Sequence, residues 1–244
     1  LMFFTTQRVK LVRFLIEINE SIFFYKRLKK VFKEIFKNSP LRKVIDVGVN
    51  RGQTIKFLDQ FSEDIEIIGF EPNKSLFEKV REMKLRNVSL HNYGCSDSEG
   101  TLVFNENILD ESSTFENVNS NSKWLMKKAN ILGVKPKNLI KQSYPVKVIQ
   151  LADFINEHMG EATIDLIKID VEGHELKVLK GLFSNPLRSR VKFIQVEVHN
   201  DDLYEGQIKN EIIDLLEFNN FSIYKEIKHG FGSFSDIIFI NNNH

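Results

Sequence analysis

One stretch constrains this chain more than any other: Val44-Ile45-Asp46-Val47-Gly48-Val49-Asn50-Arg51-Gly52-Gln53. An apolar run ends on an acid, a glycine-spaced turn follows, and a helix-forming segment begins. Glycine lets a turn pass close to a ligand, and a helix N-terminus presents free N–H groups. A dinucleotide fold would show G-x-G-x-x-G here, seating a pyrophosphate on the helix. This turn has only Gly48 and Gly52, and Asp46 would repel a diphosphate while attracting the ammonium of a methionine-like ligand. The charge favours S-adenosylmethionine over a nicotinamide dinucleotide. Gly48, Asn50, Gly52 and Gln53 of the same turn are expected to line that cofactor.

Strand and helix patterns alternate beyond this point. Strands are expected at Lys43–Val47, Glu66–Phe70, Val88–Tyr93, Ile164–Ile169 and Phe193–Val198. Helices are expected between them, from about Gln53 to Phe61, Lys74 to Met83, Glu175 to Leu182 and Ile208 to Phe218. Such alternation predicts an α/β fold with a mostly parallel, doubly wound sheet. Ser222–Tyr224 and Asp236–Ile240 form a terminal pair that suggests an antiparallel edge strand. Glu71 ends the second strand about twenty residues past the turn, where a carboxylate can accept from both ribose hydroxyls; the competing reading is a helix-capping acid. The third strand leads to Gly94-Cys95-Ser96-Asp97, where adenine would lie. Asp97 either accepts from the adenine amino group or forms a turn. Cys95 reads as an apolar wall.

The second constellation is Asp165-Leu166-Ile167-Lys168-Ile169-Asp170-Val171-Glu172-Gly173-His174-Glu175. Asp170 ends a buried strand, where open α/β sheets place ligands. Glu172 and His174 follow in the turn. In Gln195-Val196-Glu197-Val198-His199, Glu197 and His199 share a face by the period of two. Acids in the first helical turn and a capping histidine are the structural alternatives for Glu172, Glu175 and His174. An alcohol attacking a methyl donor needs a base, and His199, Glu172 and His174 are the candidates, with Asp170 holding the methionine end or orienting the base. A variant has Asp170, Glu172 and a histidine gathering a divalent cation; the residues permit it without requiring it, and no metal is expected.

Residues 1–38 read as a helical arm with apolar residues at helical spacing and a basic second half, Lys26 to Lys37. It either packs on the domain or on a second copy, or makes a peripheral membrane contact. The organisation expected is an arm over 1–40 and a domain over 41–244, with a polar insertion at 105–145 that is either a substrate lid or a surface excursion. One helix is expected in that insertion, around Ser122–Leu132. A net charge of +1 over 244 residues sets no preference for polyanions. The single cysteine excludes an internal disulfide framework, and no stretch approaches the ~20 apolar residues of a membrane span. A cytoplasmic location is expected.

The two motifs together resemble the FkbM family of methyltransferases. Asp46-Val47-Gly48-Val49-Asn50-Arg51-Gly52 resembles its cofactor loop, with Val49 where alanine is commoner. Phe70-Glu71-Pro72-Asn73 resembles its ribose-binding step. Ile167-Lys168-Ile169-Asp170-Val171-Glu172-Gly173-His174-Glu175 with Val178-Leu179-Lys180-Gly181 is similar to its most distinctive stretch, and Glu197-Val198-His199 to its later strand end. The resemblance covers roughly residues 42–200. It implies a Rossmann-like class I methyltransferase fold, S-adenosylmethionine, and an oxygen acceptor on a carbohydrate or other natural product. The alternative is a non-catalytic glycan- or membrane-binding module using the basic arm. No nucleic-acid partner is expected, because the chain lacks an aromatic platform and a proline-flanked loop for base extrusion.

Overall fold

The helical spacing of the first 38 residues becomes one uninterrupted helix. It comprises α1 (Met2–Asn19), a π-helical turn (Glu20–Phe24) and α2 (Tyr25–Ile35). The computed structural model describes residues 2–62, 64–185, 190–204, 209–230 and 233–244, with side chains from residue 7 onward. The chain continues through β1 (Lys43–Val47), α3 (Gln53–Leu58), β2 (Glu66–Phe70), α4 (Lys74–Glu82) and β3 (Val88–His91). Then come β4 (Gly94–Ser96), β5 (Gly100–Asn107), α5 (Lys123–Leu132), β6 (Ile140–Gln150) and α6 (Leu151–Met159). The last third holds β7 (Ile164–Ile169), α7 (Glu175–Leu182), β8 (Val191–His199), α8 (Lys209–Phe218), β9 (Phe221–Lys228) and β10 (Phe234–Asn241). Ile208, the expected first residue of α8, lies outside the described residues.

Seven strands form the main sheet in the order β3-β2-β1-β7-β8-β10-β9. The pairs β2–β3, β1–β2, β1–β7 and β7–β8 are parallel, while β10 runs antiparallel to both β8 and β9. The terminal pair thus closes one edge of the sheet in antiparallel fashion, as expected, with β10 one place in and β9 outermost. Side-chain chemistry explains their order. Ile237, Ile238 and Phe239 of β10 are all buried, which an interior position satisfies. β9 carries exposed Lys225, Glu226 and Lys228, which suit an edge.

The period of two sends alternate residues to opposite faces. Ile45, Ile167, Val196 and Phe239 pack under α6, α7 and α8 through Ile155, Leu179 and Leu216. Val44, Leu166 and Ile238 pack against α2 and α3 through Leu28, Phe32 and Ile55. At ~25 cal/mol per Å² of buried apolar surface, these two layers supply the main driving force for folding. The arm takes part directly, since α2 forms a piece of the second layer.

The polar middle region is more structured than its composition suggests. Ser122 caps α5 by accepting from the Leu125 N–H at 3.1 Å, as the expected helix requires. β4, β6 and β5 form a second, three-stranded sheet that was not anticipated. A third cluster joins α1 to the insertion: Val9, Val12 and Ile16 pack on Leu125, Ala129 and Leu132 of α5. Among the described residues no helix is long and apolar enough to cross a membrane.

Candidate active site

The turn after β1 is shaped by one close approach. Gly48 has φ +92°, and a Cβ there would stand 1.8 Å from the Asp170 carbonyl oxygen. Only glycine fits between the ends of β1 and β7. Asn50, also left-handed at φ 51°, donates its N–H to Glu71 Oε2 at 2.7 Å. The other carboxylate oxygen of Glu71 accepts from the Asn73 N–H at 2.7 Å. Burial pushes the Glu71 carboxyl up to about 7, with the two amides pulling it back. Asn50 Oδ1 is buried with no hydrogen-bond partner among the described residues. These groups face a cavity of about 540 Å³.

Gly48, Asn50, Gln53, Glu71 and Cys95 line this end of the cavity together with Tyr93. Burial drives the Cys95 thiol well up, so it serves as wall. Gly52 and Asp97 are not among the lining residues. Gly52 heads α3 at φ +77° and sits nearest the Val80 side chain. Asp97 is exposed and accepts from the Ser96 hydroxyl at 3.2 Å, the turn alternative noted above.

Asp46, expected to contact a ligand ammonium, is not among the residues that line the cavity. Its carboxylate is fully buried, and Lys168 Nζ stands 3.6 Å away. Register explains the pairing: Asp46 of β1 and Lys168 of β7 are direct neighbours in parallel strands. Burial raises the Asp46 carboxyl to about 6, against the pull of Lys168. Lys168 also donates to Asp170 Oδ2 at 3.0 Å. Burial alone would lower the lysine, but Asp170 and Asp46 hold it well above its ordinary value. For Asp170, burial opposes ionisation and Lys168 outweighs it, holding the carboxyl low. Asp170 is thus the carboxylate of this ion group that fronts the cavity.

The turn beyond Asp170 is braced from below. Glu175 is fully buried and accepts from the N–H groups of Val171 at 3.0 Å and Gly173 at 3.1 Å. Gly173, at φ +96°, lies under the Tyr204 ring, where a Cβ would meet it at 2.6 Å. Glu172 occupies a strained φ of 55° and accepts from the Tyr204 hydroxyl at 2.6 Å. His174 turns away from the cavity. Its Nδ1 is 2.5 Å from Glu116 and its Nε2 2.9 Å from Ser96 Oγ, at 1% exposure. With both ring nitrogens engaged and no place on the wall, His174 is removed from the candidate bases and becomes a tie between β4 and the insertion.

His199 ends β8 beside this turn. Its Nε2 lies 3.1 Å from Glu197 Oε2 and 3.6 Å from Glu172 Oε2, and its Nδ1 lies 3.8 Å from Asp201 Oδ2. Burial would depress the imidazole, but Asp201, Glu197 and Glu172 win and hold it well above its ordinary value. Burial and the Asp170 charge push Glu197 up, with His199 pulling it back. The pair therefore keeps its proton above the usual histidine range. Ligand atoms of Glu172, Glu197 and His199 lie within 4.8 Å of one another. This set has Glu197 where the expected cation group had Asp170, which accepts from Lys168 instead.

Three contributors were missed in the sequence. Lys168 was detectable, lying two residues before Asp170 on the same strand face. Tyr204 carried no motif signal. The arm was not expected to wall the cavity, yet Val12, Leu15, Glu20 and Tyr25 all line it. The insertion faces them with Leu109, Phe115 and Lys128. Arg13 of α1 donates to Glu111 at 2.9 Å, and Arg51 of the cofactor turn pairs with Asp110, tying the three segments together.

Residues 46–223 match the methyltransferase FkbM domain. The chain is 27% identical over 186 residues to the 2-O-methyltransferase NoeI of Sinorhizobium fredii, covering 71% of this chain and 70% of that protein. It is 31% identical over 157 residues to the hexuronic acid methyltransferase AglP of Haloferax volcanii. That match spans 63% of this chain and 54% of the relative. Among solved structures, the magnesium protoporphyrin IX methyltransferase of Synechocystis PCC 6803 shares the fold. It has a TM-score of 0.50 at 11% identity, over 93% of this chain and 84% of that one. The chain belongs to the FkbM family of methyltransferases, enzymes whose methyl donor is S-adenosylmethionine.

Proposed function

We propose that the chain methylates a hydroxyl oxygen of a sugar or glycan. The observation that carries this reading is the His199–Glu197 pair, 3.1 Å apart on the cavity wall beside Glu172. Two relatives support the acceptor class, one named for methylation at an oxygen and the other for methylation of a hexuronic acid.

The cavity fits the donor. Gly48 and Gln53 line one end of it, Asn50 Oδ1 is an acceptor with no partner among the described residues, and Glu71 presents a buried carboxylate. Glu71 would hold the ribose hydroxyls, Asn50 and Gly48 the turn side, and Asp170 the methionine ammonium. S-adenosylmethionine, when bound, supplies a methyl group open to in-line attack. Everything else falls to the chain. His199 takes the proton of the acceptor hydroxyl at Nδ1, the ring nitrogen that Glu197 leaves without a hydrogen-bond partner among the described residues, as the new bond forms. That role is worth about 10²–10⁴ in rate. Glu197 steadies the imidazolium produced, and Tyr204 fixes the Glu172 carboxylate beside it. Lys168 keeps Asp170 ionised. The arm and the insertion close the acceptor end and exclude water, positioning the hydroxyl.

A second reading has a specific observation behind it. Glu172, Glu197 and His199 could hold a divalent cation that acidifies the acceptor hydroxyl.

The acceptor class is tested by methyl transfer from labelled S-adenosylmethionine to a panel of monosaccharides, uronic acids and oligosaccharides, each with single hydroxyls removed. Transfer that stops when one hydroxyl is deleted supports the reading. Transfer to phenols or amines, with every sugar inert, would discard it.

A further inference from the structure

The outward face of the arm has a pattern that the methyl-transfer chemistry does not use. Leu11, Phe14, Ile18 and Ile22 follow each other at spacings of three and four, and each is between 38% and 58% exposed. The same spacing then runs on through Lys26, Lys30, Lys33 and Lys37, all exposed. These exposed positions run as a ridge along a continuous helix, apolar through the π-helical turn and cationic beyond it. The opposite face is already occupied: Val12 and Ile16 lie on α5, while Leu28 and Phe32 lie in the core.

We propose that this ridge seats the enzyme on a bilayer surface rich in anionic lipid. Charge is divided sharply along the chain. Residues 1–38 hold nine Lys and Arg against three Glu, a net of +6 in a chain whose total is +1, so the remainder carries −5. An anionic surface attracts the arm and repels the body, which fixes the side that docks. Apolar side chains at headgroup depth and lysines against lipid phosphates are the pattern of an interfacial helix. A second copy laid on the same face would cover the apolar half and leave the lysine row unpaired. A bilayer answers both halves. The helix that docks also walls the cavity through Val12, Leu15 and Glu20, so the acceptor end lies close to the lipid. The proposal concerns the ridge alone and stands whichever acceptor is methylated.

The test is co-sedimentation of the full chain with vesicles of phosphatidylcholine alone and of phosphatidylcholine with phosphatidylglycerol. Binding is expected only to the anionic vesicles and should weaken as salt rises. Two triple variants, Leu11→Ser/Phe14→Ser/Ile18→Ser and Lys26→Glu/Lys30→Glu/Lys33→Glu, should each reduce binding by more than about tenfold. Their thermal unfolding should stay near that of the parent, since all six side chains are exposed. The proposal is overturned if the parent chain ignores anionic vesicles, or if the lysine variant binds as well as the parent. It is equally overturned if light scattering finds a dimer that the serine variant splits, which would assign the ridge to a second copy.

Discussion

His199 Nε2 lies 3.1 Å from Glu197 Oε2, and the two side chains share a face of β8 because they are two residues apart. A base works in its deprotonated form, and this imidazole is held well above its ordinary value by Asp201, Glu197 and Glu172. kcat/KM should therefore rise with pH along a limb displaced above the ordinary histidine range of about 6.5. Glu197→Gln removes one of the carboxylates that raise His199, so the limb should move to lower pH. His199→Ala should lower kcat by about 10²–10⁴ while leaving S-adenosylhomocysteine affinity nearly unchanged. A pH profile insensitive to Glu197→Gln would remove the pair from its assigned role.

Glu71 governs the donor's affinity in the proposed arrangement. An ionised carboxylate only accepts hydrogen bonds, which is what two ribose hydroxyls require. Burial places its titration near 7. The acid is protonated below that value and ionised above it, so S-adenosylmethionine should bind more weakly as pH falls through about 7. Glu71→Gln should weaken binding by about tenfold or more, the worth of a charge-assisted hydrogen bond, and flatten the pH dependence. Titration calorimetry at pH values on either side of 7 measures both.

The two glycines of the cofactor turn should separate on mutation. Gly48→Ala would drive a methyl group to 1.8 Å from the Asp170 carbonyl in a backbone at φ +92°. A loss of about 3 kcal/mol or more is expected, with donor binding abolished. Gly52→Ala meets Val80 at an ordinary 3.4 Å and bears only the cost of its φ of +77°, about 1 kcal/mol. Denaturant midpoints of the two variants should rank them in that order.

His174→Ala is expected to cost about 1–3 kcal/mol, because Ser96 and Glu116 lose a buried partner. kcat should change little. A fall in kcat to the level of His199→Ala, with stability intact, would return His174 to the catalytic group.

Chelation separates the two proposed chemistries. His199 with its raised affinity for a proton already supplies a positive centre among Glu172, Glu197 and Asp201. Turnover should survive exhaustive dialysis against EDTA. Loss of activity that magnesium or manganese restores would favour the cation reading.

The primary structure was most informative where chemistry and backbone period coincide. A glycine turn after a buried acid, and K-x-D-x-E-G-H-E at a strand end, are local patterns. Their neighbours in sequence are also their neighbours in space, so the sheet, its winding and the methyltransferase family could be read without coordinates. The helix capped by Ser122 was legible for the same reason. The alternation in Tyr144, Val146 and Val148 was also there to see, though polar neighbours obscured β6. What residues do in the site depended on distances that no local pattern contains. Asp46 is masked by Lys168 through the register of β1 and β7. His174 is claimed by Ser96 and Glu116, 78 and 58 residues away. The arm becomes a wall of the cavity because its buried stripe docks on α5 and the sheet. Sequence determines which groups each element carries. Only packing decides which of them meet, since a charge facing a cavity and the same charge turned towards a buried lysine have identical local sequences.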